Sequence, residues 1–181
     1  MKLKFFFPGI PFSKQSVRAN PVYGRDGNPV IYTDKNSGKR KVLIRYHQPK
    51  EITDQENNIR AMAISQLPPA FKPFDGPVIV CRLDFIFPPL KSFPKIKLMN
   101  IASGSVEYKT TKPDLNDNLC KGLFDALEGI LYLNDSQICE KISTRKIYGM
   151  TPGISLEVEG FYENHLPHDY KKICLTEELP L

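Results

Sequence analysis

Three aspartates and one lysine near the middle of the chain have the residue types and spacing of a metal site that acts on phosphates. Asp114 and Asp117 come just before an apolar pattern typical of a helix, Lys121 follows on that helix, and Asp135 comes after the chain has turned back. Carboxylates are preferred ligands of Mg²⁺, which activates water and stabilises phosphoryl charge. We therefore expect the three aspartates to bind the metal and Lys121 to stabilise the phosphoryl group.

Each of these acids also has a simpler interpretation when it is considered alone. Asp117 is a natural N-cap for the helix, and Asp135 is a typical turn residue. Asp125 lies four residues beyond Lys121, so we expect these two side chains to form an i,i+4 pair. Asp135 reaches the same helix end only if residues 131–133 run back along the helix. The order of the residues together favours the catalytic interpretation.

A calcium-binding loop is the rival interpretation of the same residues. Asp114, Asn116 and Asn118 match positions 1, 3 and 5 of an EF-hand loop. Position 6 is then Leu119 instead of the glycine required by the sharp turn, and position 12 is Asp125 instead of glutamate. The helical apolar pattern also begins inside this loop. The pattern therefore disfavours calcium binding.

The elements that must position the acids alternate between strands and helices. Apolar alternation and helical periodicity predict strands at residues 2–7, 30–33, 78–87, 105–112, 137–148 and 154–159, and helices at 52–67 and 118–127. Residues 91–104 are predicted to be an irregular connection. Thr53 and Glu56 predict a capping box for the first helix, and Gly129 is a suitable residue to follow the second.

The first 50 residues are strongly basic, whereas the rest of the chain is mildly acidic. They contain 11 Lys or Arg residues against two acids, giving +9, and the remaining residues contribute −4 to the net charge of +5. This asymmetry suits a protein that binds the phosphate backbone and carries an acidic metal site. The alternative is that the charge only solvates a surface loop at residues 13–47. The DNA contacts that we expect are Lys14, Arg18, Lys39, Arg40, Lys41 and, beside the acids, Lys112.

The composition suits one domain and excludes a membrane-spanning protein. The chain has 181 residues, of which 41% are hydrophobic, but its apolar runs are short and interrupted by charged residues or proline. The first run stops at Pro8, too early for a signal peptide. The four cysteines lack metal-ligand spacing and are expected to be reduced, and two tail histidines alone do not make a zinc site. We expect a domain at residues 1–162 and a peripheral tail at 163–181.

The segment from Lys112 to Ile138 resembles the central motif of the RusA family of Holliday-junction resolvases. It begins Lys-Pro-Asp-Leu-Asn-Asp-Asn-Leu-Cys-Lys, continues through Asp-Ala-Leu at 125–127, and ends with Asn-Asp-Ser-Gln-Ile. The Pro-rich loop at residues 8–14 and the sequence at 148–154 before the last strand are also similar to the family.

The resemblance implies an α/β (α+β) domain with a mixed β-sheet backed by two main helices, acting as a symmetric homodimer. It implies an endodeoxyribonuclease that depends on Mg²⁺, with Mn²⁺ as a substitute, and that is cytoplasmic and nucleoid-associated. Each subunit would nick one of two opposed strands of a four-way junction by in-line attack of water, leaving a 5′-phosphate and a 3′-hydroxyl. The family's aspartates fall on Asp114, Asp117 and Asp135, and its lysine falls on Lys121.

Two departures from the family pattern affect the site. The family separates its first two aspartates by one residue, whereas Leu115 and Asn116 both intervene here. We expect the extra residue to be absorbed as a bulge or in the N-cap turn. Asn134 stands where the family often has another aspartate, which removes a charge but not a ligand. Two alternative functions therefore stay open, namely a junction-binding protein with impaired catalysis and a nuclease for other branched DNA.

Overall fold

The computed structural model describes residues 1–14, 18–47 and 49–163, but not the side chains of Arg18, Tyr46 and His47. The described residues contain ten strands and three helices. The strands are β1 (Lys2–Pro8), β2 (Arg18–Pro21), β3 (Ile31–Thr33), β4 (Arg40–Val42), β5 (Ile44–His47), β6 (Val78–Phe87), β7 (Glu107–Tyr108), β8 (Ile138–Lys141), β9 (Thr144–Tyr148) and β10 (Gly153–Gly160). The helices are α1 (Lys50–Gln66), α2 (Lys95–Ala102) and α3 (Lys121–Leu127), with a π-helical segment (Leu115–Cys120) running directly into α3. None of the described helices has the length and apolar character needed to cross a membrane.

Six strands form one mixed sheet in the order β1–β10–β6–β9–β7, with β8 also paired to β6. The pairs β1/β10, β10/β6 and β7/β9 are antiparallel, whereas β8 and β9 run parallel to β6. Parallel strands need a crossover connection, and the chain between β6 and β8 supplies it with α2, β7 and α3. The sequence-based expectation of a mixed sheet backed by helices is confirmed.

One face of the sheet is apolar and packs against α1 and α3. Its residues alternate along the strands, as in β1, where Leu3, Phe5 and Phe7 are buried and their neighbours are exposed. The two helices cover this face with buried residues such as Ile59 of α1 and Leu123 of α3. The opposite face is polar, and we call it the open face; its strand residues include Lys4, Glu157, Arg82, Asp84 and Arg145.

The edge strand β1 is protected by α1. The side-chain amide of Gln66 accepts a hydrogen bond from the Phe6 N–H at 2.9 Å and donates one to the Phe6 carbonyl at 3.1 Å. Lys4 of the same strand pairs with Glu157. A charged edge whose backbone groups are bound by a helix resists pairing with strands of other molecules.

The predicted strands β1, β6 and β10 are confirmed, but three other elements differ from the expectation. The predicted strand at 105–112 has only two residues in β7, and the one at 137–148 is broken into β8 and β9. The connection at 91–104 contains α2, where Ile101 is buried but Ile96 and Met99 are exposed. An apolar periodicity this weak does not distinguish a short helix from a loop.

The first helix starts earlier than predicted and without the capping box. Helix α1 begins at Lys50 after Pro49, so Thr53 lies inside the helix and Glu56 is used elsewhere. Its predicted end is confirmed, because Leu67 is the C-cap before two prolines. Proline is well suited to the start of a helix, and the helix therefore begins after Pro49 and not after Thr53.

Residues 18–47 form a β-structured arm. Strand β2 pairs with β5 and β3 pairs with β4, both antiparallel, and hydrogen bonds from Val22 to Leu43 and from Val30 to Val22 link the two ladders. Many apolar side chains of the arm are exposed, including Tyr23 and Ile31. The predicted peripheral tail, apart from Glu163, lies outside the described residues, so its assignment stays a prediction.

Candidate active site

The chain between the first two aspartates is a π-helix. Asp114 occupies the N-cap position of the segment Leu115–Cys120, without a side-chain capping bond, and its carbonyl accepts a hydrogen bond from Leu119 N–H at 3.2 Å. This i→i+5 bond holds one residue more than an α-helical turn. The expectation that Asp117 is the N-cap is therefore wrong, because the helix begins before it, and the extra residue is absorbed inside the helix.

Asp117 and Lys121 lie four residues apart, across the junction between the π-helical segment and α3. Both side chains are exposed, as is that of Asp114. The side chains of Asp114 and Asp117 form no hydrogen bond or ion pair with any described residue. Two carboxylates without a partner among the described residues thus lie three residues apart on an exposed helical turn, and a lysine follows on the next turn.

Lys146 of β9 holds the segment that leads into Asp114. Its ammonium donates hydrogen bonds of 2.7 Å to the carbonyls of both Thr111 and Pro113. Burial and the charge of Lys109 lower the pKa of Lys146, whereas the charge of Asp114 acts in the opposite direction. Lys146 therefore fixes the backbone before the first aspartate and places a cation beside it.

Lys141 of β8 contacts the π-helical segment from the other side. Its ammonium lies 3.2 Å from the Asn116 side-chain oxygen, to which it donates a hydrogen bond. Asn116, one of the two residues between the aspartates, is thus exposed and tied to the sheet. This contact gives the inserted turn a fixed orientation.

Asp135 lies at the other end of the same helix. It begins a 3₁₀ turn whose capping box joins Asn134 and Gln137, and the Asn134 amide donates to Glu128 at 3.3 Å. Glu128 is the C-cap of α3 and lies eleven residues beyond Asp117, or roughly 16 Å at the α-helical rise. Residues 131–133 form part of a turn at the helix end, so the condition for Asp135 to reach Asp117 within one chain is not met.

The structure therefore brings Asp114, Asp117 and Lys121 together but leaves Asp135 apart. In keeping with this separation, no cluster of three or more Asp, Glu, His or Cys side chains able to hold a metal exists among the described residues. The EF-hand alternative also fails, because Asn116 and Asn118 lie inside a helix instead of a calcium loop.

Lys14 is bound by two carboxylates on the helical side of the molecule. Its ammonium lies 2.9 Å from Glu56 of α1 and 2.5 Å from Asp125 of α3. Burial lowers the pKa of Lys14, but hydrogen bonds and charge from Asp125 and Glu56 outweigh burial and raise it. The pairing expected between Lys121 and Asp125 is replaced by this one. Since its ammonium is already paired, we leave Lys14 out of the proposed DNA contacts.

The remaining predicted DNA contacts lie in two places. Lys39, Arg40 and Lys41 are exposed on and beside β4 of the arm, where Lys41 pairs with Asp34. Lys112 is exposed beside the aspartates, and the side chain of Arg18 lies outside the described residues.

Sequence reasoning missed three lysines that the fold places beside the acids. Their separation along the chain hides their proximity, and no local motif marks them. Together with the two predicted lysines they surround residues 111–121, and we call this set the lysine cluster: Lys109, Lys112, Lys121, Lys141 and Lys146. Such a concentration of cations around two aspartates attracts phosphate groups.

The residues fit a divalent cation by the chemistry of their donors. Asp114 and Asp117 offer exposed carboxylate oxygens without competing partners among the described residues, which suits a hard ion that keeps several waters. Asn134, in contrast, uses its side chain for the capping box, and its amide binds Glu128. It is a structural residue and not a missing ligand.

Comparison with known proteins gives one family. A family model described as "Endodeoxyribonuclease RusA" matches residues 26–159 of the 181-residue chain. The match includes all four candidate catalytic residues and the lysine cluster. No curated protein matches the chain.

Proposed function

This chain belongs to the RusA family of endodeoxyribonucleases, and we propose that it resolves four-way DNA junctions by paired, symmetric nicks that require a divalent metal, Mg²⁺ first. The observation that supports this function best is the pair of carboxylates inside the lysine cluster, Asp114 and Asp117, which have no side-chain partner among the described residues. Acids that bind a metal and cations that bind phosphates are both needed to hydrolyse a phosphodiester.

Asp114, Asp117 and Asp135 would hold the metal, which supplies an activated water and charge stabilisation when bound. Asp135 lies at the opposite end of the helix from the other two. In a symmetric dimer each surface contacts its counterpart reciprocally, so Asp135 of one copy can meet Asp114 and Asp117 of the other at both sites. We therefore propose a homodimer in which each active site combines residues of two chains.

The chain's own cations position the DNA. Lys121 faces solvent four residues beyond Asp117 and would stabilise charge on the phosphoryl group. Lys146 orients the segment before Asp114, and Lys141 orients the helical turn that contains Asp117. The exposed cations of the arm, Lys39 and Arg40, would contact the backbone of a junction arm without reading its sequence.

The test is cleavage of a supercoiled plasmid that extrudes a cruciform. Two paired nicks linearise the plasmid, whereas a single nick leaves an open circle. Wild type is expected to produce linear DNA only with Mg²⁺, and Asp117→Asn and Asp135→Asn are each expected to bind the junction without cutting it. Junction binding by wild type without any cutting would instead favour a binding protein with impaired catalysis.

A heterodimer of the two variants decides where Asp135 acts. When an Asp117→Asn chain pairs with an Asp135→Asn chain, a site shared between chains is intact once, so the heterodimer is expected to produce open circles. If all three aspartates act within one chain, neither site is intact and the plasmid stays supercoiled. A substrate panel with flaps and three-way junctions separates a resolvase from a nuclease for other branched DNA.

A further inference from the structure

A groove on the open face of the sheet contains two arginines that the proposed active site does not use. The groove has a volume of 330 Å³, and its floor is formed by Arg82 and Ile86 of β6 and by Arg145 and Ile147 of β9. The register pairs Ile86 with Ile147 and Asp84 with Arg145, so these side chains share one face. The segment from Gly104 to Val106, after α2, lines one wall.

Asp84 holds both arginines from below. It is the buried charged residue of the described core, with 3% of its surface exposed. Arg145 binds it through two nitrogens, with Nε 2.7 Å from Oδ1 and Nη2 2.8 Å from Oδ2, and Arg82 binds it through Nε at 2.8 Å. The carboxylate thereby fixes the plane of the Arg145 guanidinium and anchors that of Arg82 at Nε.

The groove keeps a net positive charge despite this carboxylate. One buried acid faces two arginines, and the nearest acid across the sheet, Glu157, is paired with Lys4. Arg82 uses only Nε on Asp84, so both of its Nη groups have no hydrogen-bond partner among the described residues. The Arg82 side chain is 52% exposed, and its unused donors are therefore accessible to a ligand.

An anion with several acceptor oxygens matches these donors. Arginine forks bind phosphate oxygens with two parallel hydrogen bonds, and a guanidinium held in place by a carboxylate loses less freedom on binding. A purely structural ion pair would need only one arginine for one carboxylate. The second arginine, half exposed at the groove, supplies binding capacity beyond what Asp84 uses.

The groove lies close to the candidate active site along the sheet edge. Lys109 N–H is bonded to the carbonyl of Lys146, the neighbour of Arg145, and five residues separate Lys109 from Asp114. An extended chain covers at most about 3.4 Å per residue, so Asp114 lies no more than roughly 17 Å from Lys109, and one strand spacing of about 5 Å and one residue of about 4 Å complete the path to Arg145. This path of at most roughly 26 Å is shorter than one turn of duplex DNA, which is about 34 Å.

We propose that Arg82 and Arg145, held by Asp84, bind a backbone phosphate of a junction arm within about one helical turn of the cleaved phosphodiester. This proposal rests on the proposed nuclease function and adds a second phosphate contact on the open face. The contact positions the DNA arm and takes no part in the chemistry of cleavage.

The experiment compares Arg82→Gln with Lys2→Gln, which removes an equal charge at the far edge of the same face and leaves the Lys4–Glu157 pair intact. Junction binding is measured at 50 and 200 mM salt with the Asp117→Asn background, which prevents cutting. Loss of one phosphate contact lowers the log–log salt slope by about 0.9. A homodimer loses two such contacts, so the slope should fall by about 1.8 and the affinity defect of Arg82→Gln should be ~12-fold larger at 50 mM than at 200 mM salt. Lys2→Gln is expected to keep the wild-type slope.

Single methylphosphonate substitutions along one arm locate the contact. In the Asp117→Asn protein, one neutralised phosphate within about the first helical turn of the arm should weaken binding, and the same substitution should have no further effect on the Arg82→Gln variant. A slope equal to that of Lys2→Gln, or a scan of the Asp117→Asn protein with no sensitive phosphate in that turn, overturns the proposal even if Arg82→Gln folds poorly. Binding of inorganic phosphate to the groove without any change in DNA affinity also overturns it.

These outcomes are distinguishable from failure of the proposed function. Cleavage by wild type with Mg²⁺ tests the nuclease, whereas the salt slope and the methylphosphonate scan test the groove in a protein that does not cut. A nuclease that cuts normally but shows no coupling between Arg82 and a single phosphate leaves the function in place and removes the groove from the DNA-binding surface.

Discussion

Replacing Lys14 by methionine tests whether this residue is part of the fold or part of the DNA-binding surface. Methionine keeps most of the apolar stem and removes the charge that joins Glu56 to Asp125. The three side chains are only 14%, 13% and 24% exposed, so solvent screens the two ion pairs poorly. The substitution also leaves two carboxylates facing each other without a cation.

The expected loss of folding stability for Lys14→Met lies between two limits. Exposed ion pairs contribute about 0–1 kcal/mol, whereas breaking a buried pair costs about 3–5 kcal/mol. Two pairs at this partial burial place the loss for Lys14→Met at about 2–3 kcal/mol. For a domain of this size that loss lowers the melting temperature by roughly 4–12 °C.

Urea and thermal unfolding at pH 7 measure the loss, with Lys4→Met as the control. Lys4 pairs with Glu157 but is 77% exposed, so its replacement should change the stability by less than about 1 kcal/mol. If Lys14→Met is no more destabilising than the control, the reasoning from the buried network is refuted. The same variant should keep the wild-type salt slope of junction binding; a slope lowered by about 1.8, which is one contact from each chain of the homodimer, would make Lys14 a phosphate contact after all.

Three further outcomes are expected. Burial raises the pKa of Asp84, but the hydrogen bonds and charges of its two arginines outweigh burial and lower the pKa below 3.8. The stability that ionised Asp84 contributes is therefore present above pH ~4 and is lost as the pH falls through the folded pKa. Urea unfolding from pH 7 to 3 should show that the difference in stability between wild type and Asp84→Asn closes in acid. Lys146→Met removes the hydrogen bonds to the segment before Asp114 and is expected to slow nicking at least tenfold at saturating DNA, while Lys146→Arg should restore part of the rate. Equal nicking rates of wild type and Lys146→Met in single-turnover assays would contradict a positioning role. Replacing Lys39, Arg40 and Lys41 together by alanine removes up to six contacts from a homodimer and should lower the salt slope by up to about 5.4, and an unchanged slope would remove the arm from the DNA-binding surface.

The strands of the central sheet could be predicted because their patterns are strong. Alternation in β1 and β10 and the long apolar run of β6 each point to one structure. Helix α2 could not be predicted, since only Ile101 of its residues is buried. Its stability depends on tertiary contacts that no short sequence window contains.

The spacing of the candidate residues predicts part of their arrangement. Asp114, Asp117 and Lys121 fall within two consecutive helical turns, which follows from their spacing. Asp135 lies at the far end of the helix because residues 131–133 form a turn there, and no local pattern specifies that turn. The contacts of Lys146 and Lys14 join segments more than 30 residues apart, so only the fold places these lysines.

The π-helical segment has a consequence for how the chain tolerates a change of length. One residue added to an α-helix rotates everything beyond it by about 100° around the axis, enough to turn a buried face toward solvent. A single wider turn confines that rotation to the place of insertion. Leu119 and Leu123 therefore stay in the core while Lys121 stays in solvent. The number of residues between Asp114 and Asp117 is thus a poor guide to their separation in space, and relatives with a shorter interval can present the same helix face.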